Sequence, residues 1–158
     1  MIICSTEIEI QVPVELCFDA ARSIDLHTQT VWKHTRERAV AGRTAGLIES
    51  GETVTFQARH FLVTQKLTSR VIEFERPHRF VDEMITGAFK SMRHEHTFSQ
   101  IGPGTTMMRD TLVFAAPLGV LGWIVERVIL KKYMLSFLKY RNQQLKAAIE
   151  REGDLIVS

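Results

Sequence analysis

The sequence is poor in cysteine and has almost no excess of charge of either sign. Cys4 and Cys17 are the two cysteines among 158 residues. They lack the spacing of a metal site, which favours two buried thiols in a reducing compartment. The formal net charge is +2, and the basic residues are scattered without interleaved aromatic residues. We therefore expect no binding to nucleic acid, because such binding needs a concentrated basic surface.

Long apolar runs are also missing. No run approaches the roughly 18 residues that a membrane-spanning helix needs. The first ten residues, MIICSTEIEI, lack the basic and apolar regions of a secretory signal. We therefore expect a cytoplasmic protein without stable membrane insertion. The sequence also lacks a phosphate-binding glycine loop, a dinucleotide fingerprint and a recognisable nucleophile motif, so we expect no cofactor.

The composition that remains is typical of a single globular domain over residues 1–158. Apolar residues make up 45% of the chain and charged residues 24%, an ordinary balance for a domain with a real core. Alternation predicts a strand at 2–12, and helical spacing predicts short helices at 14–21 and about 24–30. Further strands are predicted at 36–41, 52–60, 63–75, 79–85, 91–101 and 105–115.

The last part of the chain predicts one long helix, from Gly119 to Glu150. No proline, and no glycine after Gly122, interrupts about 28 residues of it. A core-facing stripe at helical spacing consists of Leu121, Ile124, Val128, Leu135, Leu138, Leu145 and Ile149. Other faces of the same helix carry Trp123, Val125, Leu130, Met134 and Phe137. These additional apolar residues predict either the wall of a cavity or contact with a partner or a membrane surface.

Strands followed by a segregated helix indicate an antiparallel α+β domain. This order resembles the START-like or SRPBCC superfamily, which includes birch-pollen-allergen-like proteins and polyketide cyclases. The most specific segments look like a bacterial branch: VTFQARHF at 54–61, FVDEM at 80–84, MRHEHTF at 92–98 and RDTLVFAAPLGVLG at 109–122. The resemblance implies a helix-grip fold, with a curved antiparallel sheet around the long C-terminal helix and a deep cavity for an apolar, lipid-like or polyketide-like ligand. It implies no single chemistry, because lipid carriers, receptors and cyclases share this fold.

The turns predict which residues face each other in the sheet. With Gly102–Gly104 at a hairpin tip, His96 lies opposite Asp110, and a turn at 87–90 places His94 opposite Asp82. The same registers pair Phe98 with Met108 and Met84 with Met92. We predict a ligand-binding set on the helix-facing side, consisting of Phe56, His60, Phe80, Asp82, Met84, Met92, His94, His96, Phe98, Met108, Asp110, Leu112, Trp123, Ile124 and Val128.

Two histidines that each face a carboxylate allow three interpretations. They can be structural pairs that satisfy each other inside the apolar face, or groups that bind the polar end of a ligand. They can also be catalytic, with His96 and Asp110 as the general base of a cyclisation or dehydration. His94 and His96 form an H-x-H pattern, which alone is a weak metal signal, so no metal site is assigned.

The function that we predict is binding of a small or medium apolar molecule between the long helix and the sheet. A cyclase or dehydratase is the first alternative. The second is a protein that acts by association, as a homodimer or on a membrane surface. Trp123, Leu130 and Phe137 motivate this second alternative, and Lys131 and Lys132 nearby suit an anionic lipid surface.

Overall fold

The computed structural model describes residues 1–117, 119, 124 and 126–157. The chain begins with strand β1 (Ile2–Ile10) and helices α1 (Val14–Ala21) and α2 (Ile24–Thr30), followed by a 3₁₀ turn at Lys33–Thr35. The next strands are β2 (Arg38–Gly42), β3 (Thr53–His60), β4 (Val63–Glu75), β5 (Arg79–Thr86), β6 (Ser91–Gly102) and β7 (Thr105–Ala115). A π-helical turn at Glu126–Leu130 then leads into the long helix α3 (Lys131–Val157).

The described strands form one curled, seven-stranded antiparallel sheet, in the order β1-β7-β6-β5-β4-β3-β2. Consecutive strands from β2 to β7 are neighbours, and β1 returns to pair with β7. Helix α3 packs against β1, α1 and α2. The predicted α+β helix-grip architecture is therefore confirmed. None of the described helices is long and apolar enough to cross a membrane.

The predicted bounds of several elements match the structure, including α1, β4 and β7. Ser23 caps α2, because its Oγ accepts a hydrogen bond from the Leu26 amide at 3.2 Å. Strand β2 begins two residues later than predicted, at Arg38. The reason is the preceding 3₁₀ turn, which ends at Arg36 in a left-handed conformation with φ of 49° and so cannot extend the strand.

The predicted register of the two histidines is confirmed. His96 lies opposite Asp110 in the β6–β7 pairing, and His94 lies opposite Asp82 in the β5–β6 pairing. An irregularity follows Gln100, close to the hairpin tip, and leaves the rest of the pairing unchanged.

The predicted pair of Met84 and Met92 lies one step beyond the last recorded β5–β6 pair, and both residues belong to the second core cluster. Within the described sheet the β5–β6 pairing ends at Glu83 and Arg93, and Met84 lies opposite Ser69 of β4. A turn sets the register of a hairpin only where both strands continue to pair up to that turn.

Charged side chains also connect three strands, on the side of the sheet opposite to that of His94 and His96. Arg79 on β5 forms ion pairs with Glu73 on β4 and with Glu95 on β6. Arg93, on β6, lies 2.8 Å from the same Glu73. We call these four residues the outer ion ladder. Along β6, Arg93 and Glu95 alternate with His94 and His96, since successive residues of a strand point to opposite faces.

The core fills one end of the sheet more completely than the other. Phe18 of α1 is at the centre of the first cluster, where its ring makes edge-to-face contacts with Phe74, Phe80 and Phe98. The C-terminal half of α3 adds residues to the same cluster. A second cluster at the other end contains Met92, Leu112, Phe114 and Leu138. Space between the two clusters remains available for a cavity.

The predicted apolar stripe on the long helix is only partly correct. Leu138, Leu145 and Ile149 are buried as predicted. Ile124 and Val128 are 51% and 58% exposed and do not face the core. The π-helical turn at Glu126–Leu130 explains the difference, because its i→i+5 hydrogen bonds add a residue to the turn and shift the helical phase. Leu121, the remaining member of the first part of the stripe, lies outside the described residues.

We expect Phe18 to stabilise this fold strongly, since its ring is completely buried among three other rings. Phe18→Ala should lower the free energy of unfolding by about 3–5 kcal/mol, measured by urea denaturation. Ile72→Ala, at an exposed position of β4, is the matched control and should cost under about 1 kcal/mol. Equal losses in the two variants would contradict the assignment of Phe18 to the centre of the core.

Candidate functional site

A cavity of about 320 Å³ lies between α3 and the middle of the sheet. This volume falls in the range of about 300–1,000 Å³ that is usual for ligand pockets. Apolar residues of β3, β4 and β6 form one wall, and Leu130, Met134, Phe137 and Leu138 form the other. Leu130, Met134 and Phe137 had suggested either a cavity or contact with a partner, and they line the cavity. Val125, which carried the same suggestion, lies outside the described residues.

Many of the residues in the predicted ligand-binding set line this cavity. They are Phe56, His60, Phe80, Asp82, Met92, His94, His96 and Leu112.

Other members of the predicted set lie elsewhere. Phe98 and Met108 belong to the core cluster around Phe18, because α1 and the end of α3 cover that part of the sheet. Met84 packs in the second cluster, and Asp110 lies behind His96. Ile124 and Val128 are exposed, because the π-helical turn shifts the helical phase. Trp123 lies outside the described residues.

His96 stands between two carboxylates on the cavity floor. Its Nδ1 is hydrogen-bonded to Oδ1 of Asp110 at 2.6 Å, and its Nε2 lies 3.5 Å from Oδ1 of Asp82. The ring of His94 lies over that of His96, with centroids 3.9 Å apart. The predicted side-chain pair of His94 with Asp82 is therefore wrong, although the backbone register is correct. Since Asp82 lies opposite His94, its diagonal neighbour on β6 is His96. Diagonal neighbours across two strands can be close enough for side-chain contact, and Asp82 contacts His96.

The two histidines are expected to differ in protonation. Burial lowers the pKa of His96, but the adjacent Asp110 and Asp82 outweigh this effect and raise the pKa above its ordinary value. Burial and the neighbouring charge of His96 lower the pKa of His94 to about 3. His96 therefore holds a proton more readily than an ordinary histidine, while His94 is neutral at neutral pH.

The carboxylates of this cluster stay ionised. Asp110 is completely buried, which by itself would raise its pKa, yet the charge and hydrogen bond of His96 bring the pKa far below its usual range. The pKa of Asp82 is lowered overall in the same way, against burial, by the nearby rings of His96 and His94. The cluster therefore holds two negative charges beneath an apolar cavity, and nearby cations must balance them.

Arg141 on α3 is a buried charge that the sequence analysis missed. The residue is 4% exposed and lines the cavity. Its Nη1 lies 3.8 Å from Oδ2 of Asp110, and its Nη2 donates to the Ala21 carbonyl at 3.5 Å. Its Nε has no hydrogen-bond partner among the described residues. A signal was present in the sequence, because Arg141 follows Leu138 by three residues and precedes Leu145 by four, on the core-facing stripe.

A second polar group lines the cavity near the start of β2. His27 Nε2 lies 2.5 Å from Oε1 of Glu37, and His60 Nδ1 is hydrogen-bonded to the Tyr133 hydroxyl at 2.7 Å. Burial raises the pKa of Glu37, but the charge of His27 outweighs this and lowers it overall. Of these four residues, His60 was predicted from the sequence as part of the site. Glu37 and Tyr133 gave no signal, because their proximity depends on how α3 lies across the sheet.

The rim of the cavity includes the tip of the β3–β4 hairpin. Phe61 and Leu62 occupy this tip with positive φ angles of 50° and 64°. Phe61 lines the cavity and packs on Tyr133, with ring centroids 4.5 Å apart.

One group of residues on the cavity floor has the composition of a metal site. Asp82, His94 and His96 each offer one ligand atom, and these atoms lie within 4.8 Å of one another.

The chain matches a protein-family model over residues 1–150, and the model is described as polyketide cyclase / dehydrase and lipid transport. No curated protein matches the chain significantly.

Several solved structures have a similar fold. A START superfamily protein from Mycobacterium smegmatis has a TM-score of 0.72 at 14% identity, covering 94% of this chain and 97% of that one. A protein from Thermus thermophilus has a TM-score of 0.71 at 16% identity, covering 93% and 99%. Norcoclaurine synthase from Thalictrum flavum, a point mutant in complex with a transition-state analogue, has a TM-score of 0.70 at 10% identity, covering 96% of each chain. At these identities the likeness concerns the fold alone.

We predict that His94 makes stability depend on pH. Its folded pKa of about 3 is below the unfolded value of about 6.5, so the unfolded chain gains a proton first on acidification. Between pH 6.5 and 5 the free energy of unfolding should fall by about 2 kcal/mol through this residue. Urea denaturation should therefore show that, from pH 7 to pH 5, the free energy of unfolding falls less in His94→Gln than in the unmodified chain. His78→Gln, at an exposed position, should keep the loss of the unmodified chain, and the same loss in His94→Gln would contradict the prediction.

Proposed function

We propose that this chain, which belongs to the polyketide cyclase / dehydrase and lipid transport family, binds one small or medium apolar molecule between α3 and the sheet. The main support is the cavity of about 320 Å³ with apolar walls from both helix and sheet. Its volume is at the lower end of the range of about 300–1,000 Å³ that is usual for ligand pockets, which suits a compact molecule better than a long lipid. Apolar surface of this kind gains stability when a ligand replaces water.

The polar groups of the cavity favour a ligand with one oxygen-bearing end. Arg141 has several N–H donors, few acceptors among the described residues, and a place in the cavity wall. A buried donor without an acceptor costs about 1–3 kcal/mol, and a ligand oxygen would remove that cost. Asp82 and Asp110 already place two negative charges at this end of the cavity, beside the single positive charge of Arg141. We therefore favour a neutral hydroxyl or carbonyl group over a carboxylate at this end of the ligand.

A cyclase- or dehydratase-type enzyme is the second candidate. The observation in its favour is that His96 lines the cavity while Asp110 orients it from behind. The raised pKa of His96 suits a proton donor rather than the general base predicted from the sequence. The neutral His94 beside it is better suited to accept a proton. The alternative of association through the long helix has less support, since Leu130 and Phe137 line the cavity.

We expect that filling the cavity will abolish ligand binding. Met134→Trp adds volume to the helical wall of the cavity and should weaken binding of an apolar fluorescent dye at least tenfold, because the dye and the indole would share one space. Ile129→Trp, at an exposed position in the π-helical turn that precedes α3, should bind the dye like the unmodified chain. Native mass spectrometry of the purified protein should also show a copurified apolar ligand. Equal dye affinity of both variants, or an unmodified chain that binds neither dye nor ligand, would refute the proposal.

Arg141 should set a preference for oxygen-bearing ligands. We expect the unmodified chain to bind 1-naphthol about tenfold more tightly than naphthalene, since a hydrogen bond from a charged donor contributes about 1.5–3 kcal/mol. Arg141→Met keeps a long side chain and removes the donors, so the two affinities should become similar. The measured quantity is the ratio of the two dissociation constants within each protein, which is insensitive to a general change in stability. A ratio that is unchanged in Arg141→Met would rule out this role.

A further inference from the structure

We propose that Asp82, His94 and His96 bind a divalent metal ion of the zinc type on the floor of the cavity. The proposal goes beyond apolar-ligand binding and does not depend on it. It rests on the positions of these three side chains, on the group that orients one of them, and on an unpartnered nitrogen of another.

The backbone places the three candidate ligands together. His94 and His96 are two residues apart on β6 and therefore point to the same face, and Asp82 lies on the adjacent strand, directly opposite His94. One ligand atom from each residue lies within 4.8 Å of the other two. Ligand atoms around one zinc ion at about 2.0–2.2 Å are about 3–3.5 Å apart. The separation of 3.5 Å between His96 Nε2 and Asp82 Oδ1 already satisfies this requirement.

Asp110 supplies the supporting interaction that histidine ligands of metals usually have. It accepts a hydrogen bond from Nδ1 of His96 at 2.6 Å when that nitrogen carries the proton. A metal ion would displace any proton on Nε2, and the lone pair of Nε2 would then face Asp82 and the ion. A carboxylate behind a metal-binding histidine fixes the ring and its tautomer. Asp82, His94 and His96 line the cavity, whereas Asp110 is completely buried behind them. The arrangement thus has an inner set of ligands and an outer supporting carboxylate.

His94 provides the second independent observation. Its Nε2 is buried and has no hydrogen-bond partner among the described residues. A buried polar atom without a partner is uncommon and calls for one. A metal ion in the cavity floor would supply that partner. The other coordination positions would open into the cavity, where a water molecule or a ligand oxygen could occupy them.

The charges and donor types also suit a cation of this kind. Asp82 and Asp110 bring two negative charges to the site, and Arg141 is the buried cation beside them, 3.8 Å from Asp110. When His96 is neutral, a divalent ion offsets the remaining negative charge. Two imidazole nitrogens with one carboxylate oxygen suit zinc or ferrous iron better than calcium or magnesium, which prefer oxygen ligands.

The experiment is a titration of the untagged chain with Zn²⁺ alone, after removal of metals and of copurified ligands by chelation and delipidation. Isothermal titration calorimetry should give one site per chain, and Co²⁺ should give the visible absorption of a protein-bound ion. Asp82→Asn and His94→Gln should each weaken Zn²⁺ binding at least tenfold. Asp110→Asn should weaken it about 10–100-fold through the orientation of His96. His78→Gln, which changes an exposed histidine, should leave the affinity unchanged.

Circular dichroism of each variant separates loss of a ligand from loss of the fold. If one variant does not fold, the other ligand variant still provides the test. Absence of Zn²⁺ binding by the stripped chain would overturn the proposal, and so would binding that survives both Asp82→Asn and His94→Gln. The result is separable from the ligand-binding proposal, because the titration uses no apolar ligand and the dye measurements use metal-free protein.

Discussion

The burial of the Asp110 carboxylate beneath an apolar cavity is the constraint on which the rest of the site depends. An isolated ionised carboxylate in such a place is very costly, so its neighbours must supply positive charge and hydrogen bonds. His96, on β6, has its Nδ1 at 2.6 Å from Oδ1 of Asp110. Arg141, on α3, has its Nη1 at 3.8 Å from Oδ2 of the same carboxylate. The same carboxylate therefore links the register of two strands to the position of the helix. Asp82 adds a second negative charge, which helps to keep His96 protonated.

The placement of the cavity follows from how the helices cover the sheet. Phe18 and the C-terminal half of α3 fill one end, where Phe98 and Met108 become ordinary core residues. Asp82, His94 and His96 lie just beyond this filled end, so their side chains border the cavity and are not covered by packed side chains. In a family described as cyclases, dehydrases and lipid-transport proteins, the side chains on this short section of the sheet and helix shape the cavity of this chain.

Much of the fold and the register was predictable, and the contacts of the site were not. The turn at Gly102–Gly104 and the alternation along β6 were enough to place His96 opposite Asp110, because both are local signals. The contact of Asp82 with His96 depends on side-chain reach along a diagonal, which periodicity does not contain. Glu37 and Tyr133 meet the cavity through the packing of distant segments. The exposure of Ile124 and Val128 follows from a π-helical turn, which a pattern with a period of 3.6 residues cannot represent.

The outer ion ladder has a consequence for how the strands find their alignment. Glu73, Arg79, Arg93 and Glu95 connect β4, β5 and β6 on one face, and the histidines and Asp82 occupy the other face of β5 and β6. A shift of one residue in β6 would carry Arg93 and Glu95 into the cavity and both histidines into water. Each surface pair is weak alone, but such an error breaks the pairs on both faces at once. A misaligned β6 would therefore lose the contacts on both faces of the sheet together, so the two faces favour the same alignment.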